Sequence, residues 1–489
     1  MDYTPHTPQD LQAMLERVGA RSLLELFEDV PAEIRGPELR LDPPLSEAEL
    51  MRHLRELAAQ NGSAAASFLG GGIRSHYVPA VVPALAARAE FLTAYTPYQP
   101  EASQGLLQAI FEYQTMISEL TGLPVANASM YDGSSALAEG VLLALRESGR
   151  MKVALSQGVH PEYRRVVQTY ADAVGAEVVT LPLVEGKTAS RLPEGVGAVV
   201  GQNPNFLGSV ENLAPLAEAA HAAGAQFVAV VDPVSLAVLK APGAYGADVA
   251  VGEGQPLGNA MAYGGPHFGF MAVRAELVRQ LPGRLVSETT DAGGKRGYIL
   301  TLQAREQYIR RAKAKSNITT NAQLTALMGA VYLAALGPQG LREVAVRSVA
   351  NAHALAERLA AIPGVRLVTP APFFNEFVLE LPKPAEEVRR ALAERGIHAA
   401  SPVPAEYGPK AHGPARPGGN LAQAHGLARP EGNLAQAHGL ARPEGNLAQA
   451  HGLARPEGNL AHLALFACTE QHTEADLERL EAALREVLA

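Results

Sequence analysis

From about residue 105 to residue 320 the chain alternates between two hydrophobic rhythms. Apolar positions three and four apart predict helices over 104–120, 136–147, 162–173 and 213–223. Short β-branched runs at 152–155, 176–180, 198–200, 227–231 and 248–251 predict strands between them. The connections have the lengths of βαβ units, so the expected core is a largely parallel sheet flanked by helices, an α/β fold. Ahead of it, 10–18 and 46–60 predict helices, the second opened by Ser46 and Glu49 at capping-box spacing. Residues 61–79 read as a loop with glycine at 70, 71 and 72.

Beyond 320 the rhythm changes. A long helical region, 321–361, leads to a strand at 375–380, a helix at 385–395 and a strand at 463–468. A Thr473/Asp476 capping box opens a last helix with Leu477, Leu480, Leu484 and Val487 on one face. The expected organisation is a helical extension over 1–65, a large α/β domain over 66–325 and a smaller α+β domain over 326–489. The last holds an insertion at about 409–460, where EGNLAQAHGLARP recurs at 431–443 and 444–456 after a degenerate copy at 418–430. That 13-residue period fits none of the usual repeat architectures and reads as an in-frame tandem expansion of a mobile surface loop. His425, His438 and His451 are evenly spaced because the unit was duplicated, so their spacing is weak support for a metal site.

Composition narrows the function. Apolar residues make up 47% and charged residues 19% of 489, as in soluble globular proteins. A formal charge of −9 gives no reason to expect nucleic acid. One cysteine, Cys468, suits a reducing cytoplasm. The start of the chain lacks a basic region followed by an apolar run, and no uninterrupted apolar stretch reaches about 18 residues, so neither a signal peptide nor a membrane span is expected.

Ligands of open α/β sheets sit at the carboxyl ends of the strands, and three features fall there. Asp132-Gly133-Ser134-Ser135 opens a helix and suits an anion, although the same residues serve as an N-cap. Asp232 ends the strand FVAVV, where it could pair with a protonated ring nitrogen or begin a turn before Pro233. Tyr263-Gly264-Gly265-Pro266-His267-Phe268-Gly269 is a glycine-rich turn carrying one histidine. Together they sketch a fold-type I pyridoxal-phosphate (PLP) enzyme, which also needs a lysine amine that burial can deprotonate. About two dozen residues after Asp232 the chain has Gly254-Gln255-Pro256, and glutamine cannot serve. Of only eight lysines none is well placed, Lys240 and Lys295 included. The aromatic, proline-stiffened loop 95–101, with Tyr95, Thr96, Pro97, Tyr98, Gln99 and Pro100, reads as a rigid binding loop or as a turn packed on the helix behind it.

SFLGGGIRSHYVP (67–79), TAYTPYQPEASQG (93–105), EYQTMISELTGLPVANASMYDG (112–133), GADVAVGEGQPLGNAMAYGGPHFGF (246–270) and QAREQYIRRAKAKSNITTNAQ (303–323) carry a resemblance. In that order they resemble the N-terminal half of the P-protein of the glycine cleavage system, a decarboxylating glycine dehydrogenase, in the form where two genes encode separate subunits. The resemblance spans roughly 10–408 and 460–489, and the tandem repeat departs from it.

The resemblance implies a fold-type I subunit with no Schiff-base nucleophile of its own, completing an active site whose PLP is held by a lysine of a partner subunit in an α2β2 assembly. Glycine would lose carbon dioxide there and its aminomethyl group would pass to the lipoyl arm of H-protein, away from stray protons. In that setting Tyr95, Thr96, Tyr98, Gln99, His267 and Asn317 are expected at the site or interface. Arg305, Arg310, Arg311 and Lys313, with Lys315, form a basic segment on an acidic chain. It is either a solvated face or a landing patch for an acidic carrier. Two other readings stay open: an independent PLP enzyme using Lys240 or Lys295, and a regulatory or scaffolding pseudoenzyme.

Overall fold

The structure is a computed structural model that describes residues 6–35, 41–62, 64–305, 307–318, 321–369, 372–407 and 459–489. The repeat and its histidines lie outside these residues. The chain forms two compact units, Met1–Ser63 and Ala64–Ala489. The first carries two helices, α1 (Pro8–Val18) and α2 (Glu47–Ala59). Thr7 and Ser46 cap them, and the expected Ser46/Glu49 box forms. Leu15 is buried in α1, while Leu50, Met51, Leu54 and Leu57 of α2 are exposed.

The second unit is built on a seven-stranded sheet. Its strands are β1 (Val125–Ala126), β2 (Lys152–Ser156), β3 (Glu177–Leu181), β4 (Ala198–Asn203), β5 (Gln226–Val231), β6 (Val249–Glu253) and β7 (Gly269–Val273), in the order β1-β7-β6-β5-β4-β2-β3. The five strands β2 to β6 run parallel, as their rhythm predicted. The turn-rich sequence after 263 concealed β7, which is antiparallel to β6 and to β1. Alternate residues of β5 serve opposite faces. Phe227, Ala229 and Val231 pack with Tyr113, Ile117 and Leu216, whereas Val228 and Val230 pack with Leu137, Val141 and Val167. Each face is covered by helices: α3 (Gln104–Thr121) and α6 (Ala214–Ala222) on one, α4 (Gly133–Ser148) and α5 (Pro161–Val174) on the other. A parallel sheet buried on both sides explains why β5 is apolar from Phe227 to Val231.

The long helix α7 (Gln323–Ala360) joins this sheet to a second core. It is broken rather than continuous, because Gly337 has φ 62° and Pro338 follows. Length and composition alone would let α7 cross a membrane, but Ala326, Ala330, Tyr332, Ala352 and Leu355 are packed inside the two cores. The second core lies under an antiparallel sheet of Arg366–Leu367, Glu376–Glu380, Leu463–Ala467 and Ser401–Pro402. It is covered by α8 (Ala385–Glu394) and α9 (Glu474–Leu488), whose Leu477, Leu480 and Leu484 face inward as expected. The glycine-rich segment 64–79 ties both parts together. Ala66–Ser67 pairs with Ile397–His398, Phe68 enters the second core, and Arg74 then reaches the carboxyl end of β5.

Candidate active site

The carboxyl ends of the parallel strands meet a cleft where the sheet order reverses between β2 and β4, the usual ligand position in such sheets. Arg74, His160, Tyr163, Gln202, Pro204, Asp232, Glu253 and Glu376 line it. Its centre is Arg74, 7% exposed. One guanidinium nitrogen donates to Glu376 Oε2 at 2.8 Å and another pairs with Asp232 Oδ2. Asp232 also caps the turn after β5 by accepting from the Ser235 amide at 2.8 Å. Glu376 accepts from the Gly71 amide at 2.7 Å. His160 Nδ1 accepts from the Glu162 amide at 3.1 Å, so its Nε2 donates to Gly71 O at 2.6 Å. Burial lowers the pKa of this imidazole, consistent with a neutral ring.

The helix start that suited an anion is already served from within. The Asp132 carboxylate caps α4 through the Ser135 amide at 2.8 Å, the N-cap alternative. The Gly133 amide donates to Glu253 Oε2 at 3.0 Å, and Glu253 Oε1 accepts from the Gln255 amide at 3.2 Å. Gly133 is required here, because a Cβ would collide with the Tyr163 hydroxyl. Burial, the largest effect, pushes the Glu253 carboxyl up to about 7 against the hydrogen bonds it accepts. Burial and the neighbouring Glu253 likewise raise the Tyr163 phenol well above its ordinary range.

A PLP site of this fold asks for a lysine, an aspartate free to meet the ring nitrogen and a helix start open to phosphate. Among the described residues none of the three is on offer. No described lysine lines the cleft, and Lys240 and Lys295 are solvent-exposed. Gln255 is buried with its Nε2 on Asn259 O at 2.7 Å. Asp232 is engaged by Arg74 and the α4 start by Glu253. The free volume is about 70 Å³, against a lower bound of about 300 Å³ for ordinary small-molecule sites. The residues present do not fit the cofactor.

Of the other sequence-predicted residues, Tyr95 and His267 meet the start of α7, and Tyr98 meets Arg284 just ahead of it. Gln323 Nε2 donates to Tyr95 O at 3.2 Å while the Tyr95 ring stays 80% exposed. Thr325 Oγ1 donates to His267 O at 3.1 Å, and the buried His267 ring meets Met261 O through Nε2 at 3.0 Å. Beside it Tyr263 is held at φ 53° with its ring 95% exposed, a backbone conformation that costs free energy in a non-glycine residue. Arg284, 3% exposed, lies 5.5 Å from the Tyr98 ring centroid and donates to the Tyr98 hydroxyl and to Asn321 Oδ1, each at 3.3 Å. The Tyr98 amide donates to Thr96 O at 2.9 Å, and Gln99 leads into the short turn Pro100–Ala102. Asn317 is exposed. In the basic segment Arg305 turns inward onto Leu281 O and Gly283 O. Arg310, Arg311 and Lys313 remain on the surface.

Arg74, Glu376 and Arg284 escaped the sequence reading. Their partners are far away in the chain, and the only local signal was an arginine two residues after a run of three glycines.

The fold is that of fold-type I PLP-dependent enzymes. Lactobacillus brevis glutamate decarboxylase shares it with TM-score 0.62 at 12% identity, over 92% of this chain and 94% of that one. Within this class the relationship is specific. A glycine cleavage system P-protein family profile matches residues 1–406, stopping short of the repeat. The probable glycine dehydrogenase (decarboxylating) subunit 1 of Moorella thermoacetica is 53% identical over 405 residues, 82% of this chain and 91% of the relative. A crystal structure of glycine decarboxylase (P-protein) of the glycine cleavage system, in inhibitor-bound form, matches with TM-score 0.86 and 62% identity over 100% of both chains. The chain belongs to the glycine cleavage system P-protein family.

Proposed function

We propose that this chain is the subunit of a two-subunit glycine decarboxylase that carries no cofactor of its own. It works with a partner whose lysine holds PLP, in an α2β2 assembly, and the glycine aminomethyl group passes to the lipoyl arm of H-protein. The observation that carries this reading is the cleft, lined by no lysine among the described residues and with Asp232 already paired to Arg74. Relatives named as subunit 1 support the need for a second subunit. The exposure of Lys240 and Lys295 argues against an independent PLP enzyme.

This chain's contribution is then a wall. Tyr95, Thr96, Tyr98 and Gln99, braced by Arg284 and Gln323, would shape the partner's site and keep water from it, with His267 and Asn317 beside them. Arg310, Arg311 and Lys313 would receive the acidic carrier, and Arg305 would hold their segment in place. Mixing the purified subunits and following exchange of glycine carboxyl with bicarbonate tests the reading. Activity is expected only from the mixture with carrier present. Full activity from the partner alone would overturn it and leave a regulatory or scaffolding role.

A further inference from the structure

The cleft is more than a site that lacks a lysine. A cofactor of this fold would bring two charged ends, an anionic phosphate for the helix start at Gly133 and a protonated ring nitrogen for Asp232. This chain meets both places itself. The Glu253 carboxyl group accepts from the Gly133 amide at 3.0 Å, and the Arg74 guanidinium lies on Asp232. Arg74 also pairs at 2.8 Å with Glu376, which stands on the second sheet, so one cation bridges both halves of the unit. Tyr163 completes the filling by packing on Gly133, where even a methyl group would not fit.

We propose that Glu253 and Arg74 are a built-in replacement for the two ends of the cofactor. They close this cleft to PLP independently of the residue at 255 and clamp its two walls together through Asp232 and Glu376. The inference builds on the reading that the wild-type chain binds no cofactor, and the two fail differently. That reading fails if the wild-type chain retains PLP after dialysis. This inference fails on the behaviour of the variants below.

The full-length chain carrying Gln255→Lys is given PLP, and the visible absorbance of the imine is recorded. Such an imine forms when the introduced amine condenses with the aldehyde and releases water. Gln255→Lys alone is expected to give no such band. The same substitution with Glu253→Ala, Arg74→Ala and Glu376→Gln is expected to give it, since Asp232 remains for the ring nitrogen and one unpaired carboxylate has been removed. Equal bands in both variants would overturn the proposal, and so would a folded quadruple variant with no band. A second measurement does not require Arg74 to be removed. Inorganic phosphate is expected to raise the melting temperature of Glu253→Ala and leave the wild type unchanged. No rise in the variant would show that Glu253 does not stand in for an anion there.

Discussion

The cleft and the rim at the start of α7 are both made from glycine-rich turns with a few charged and aromatic side chains, yet they end in opposite states. In the cleft the strong polar groups satisfy one another: Arg74 with Asp232 and Glu376, Glu253 with the Gly133 amide, and His160 with Gly71. At the rim the backbone is fixed by hydrogen bonds from Gln323 and Thr325, while Tyr95 and Tyr263 face outward. A buried charge is tolerable only when paired, so the cleft has become internal structure. A tyrosine held by its backbone keeps its ring and hydroxyl for another molecule, which is why the proposed function is assigned to the rim.

The largest effect should come from breaking the cleft. Arg74→Met leaves Asp232 and Glu376 buried without their cation, and removing one partner of such a set costs about 3–5 kcal/mol. The fall should be plain in thermal unfolding, and a melting temperature equal to the wild type would erase the distinction between cleft and rim.

Glu253 gives the cleft a pH signature. Its carboxyl is raised to about 7 in the folded chain from an ordinary value near 4.5. Between these values the folded state holds a proton that the unfolded chain has lost. Its contribution to stability therefore falls as pH rises through that window and levels off above it. Glu253→Gln should flatten this part of the profile, and a slope left intact would assign it to another group.

Rim changes should spare stability and reduce turnover. Tyr98→Phe removes the hydroxyl that Arg284 meets. It is expected to slow glycine–bicarbonate exchange in the assembled enzyme about tenfold, roughly 1.4 kcal/mol, with the partner's cofactor still bound and Tyr95→Phe acting less. Loss of the cofactor instead would make the loop an assembly element. The smallest effect is expected from Arg310→Glu with Arg311→Glu, a rise of roughly threefold in KM for the carrier that salt suppresses. An unchanged KM at low salt would return these residues to the solvated surface.

Much of this was legible in the sequence where the cause is local. The parallel strands announced themselves because a sheet buried on both faces needs continuous apolar runs. The capping boxes at Ser46 and Thr473 were visible because each is a contact between residues three apart. The strand β7 was hidden, since Gly264, Gly265 and Pro266 before it read as a turn and its pairing partners lie on other strands. In the candidate site the missing lysine could be read from composition, while the occupation of the cleft could not.

By itself, then, the sequence determined the α/β rhythm, the helix ends, the family and the lack of an amine at 255, because each rests on residues near one another or on which residues exist at all. Only the tertiary structure decided what became of the charges. Arg74 meets Asp232 across 158 positions and Glu376 across 302. Asp232 looked free to receive a ring nitrogen until folding brought a buried guanidinium to it, and that guanidinium is stable there only because two carboxylates surround it.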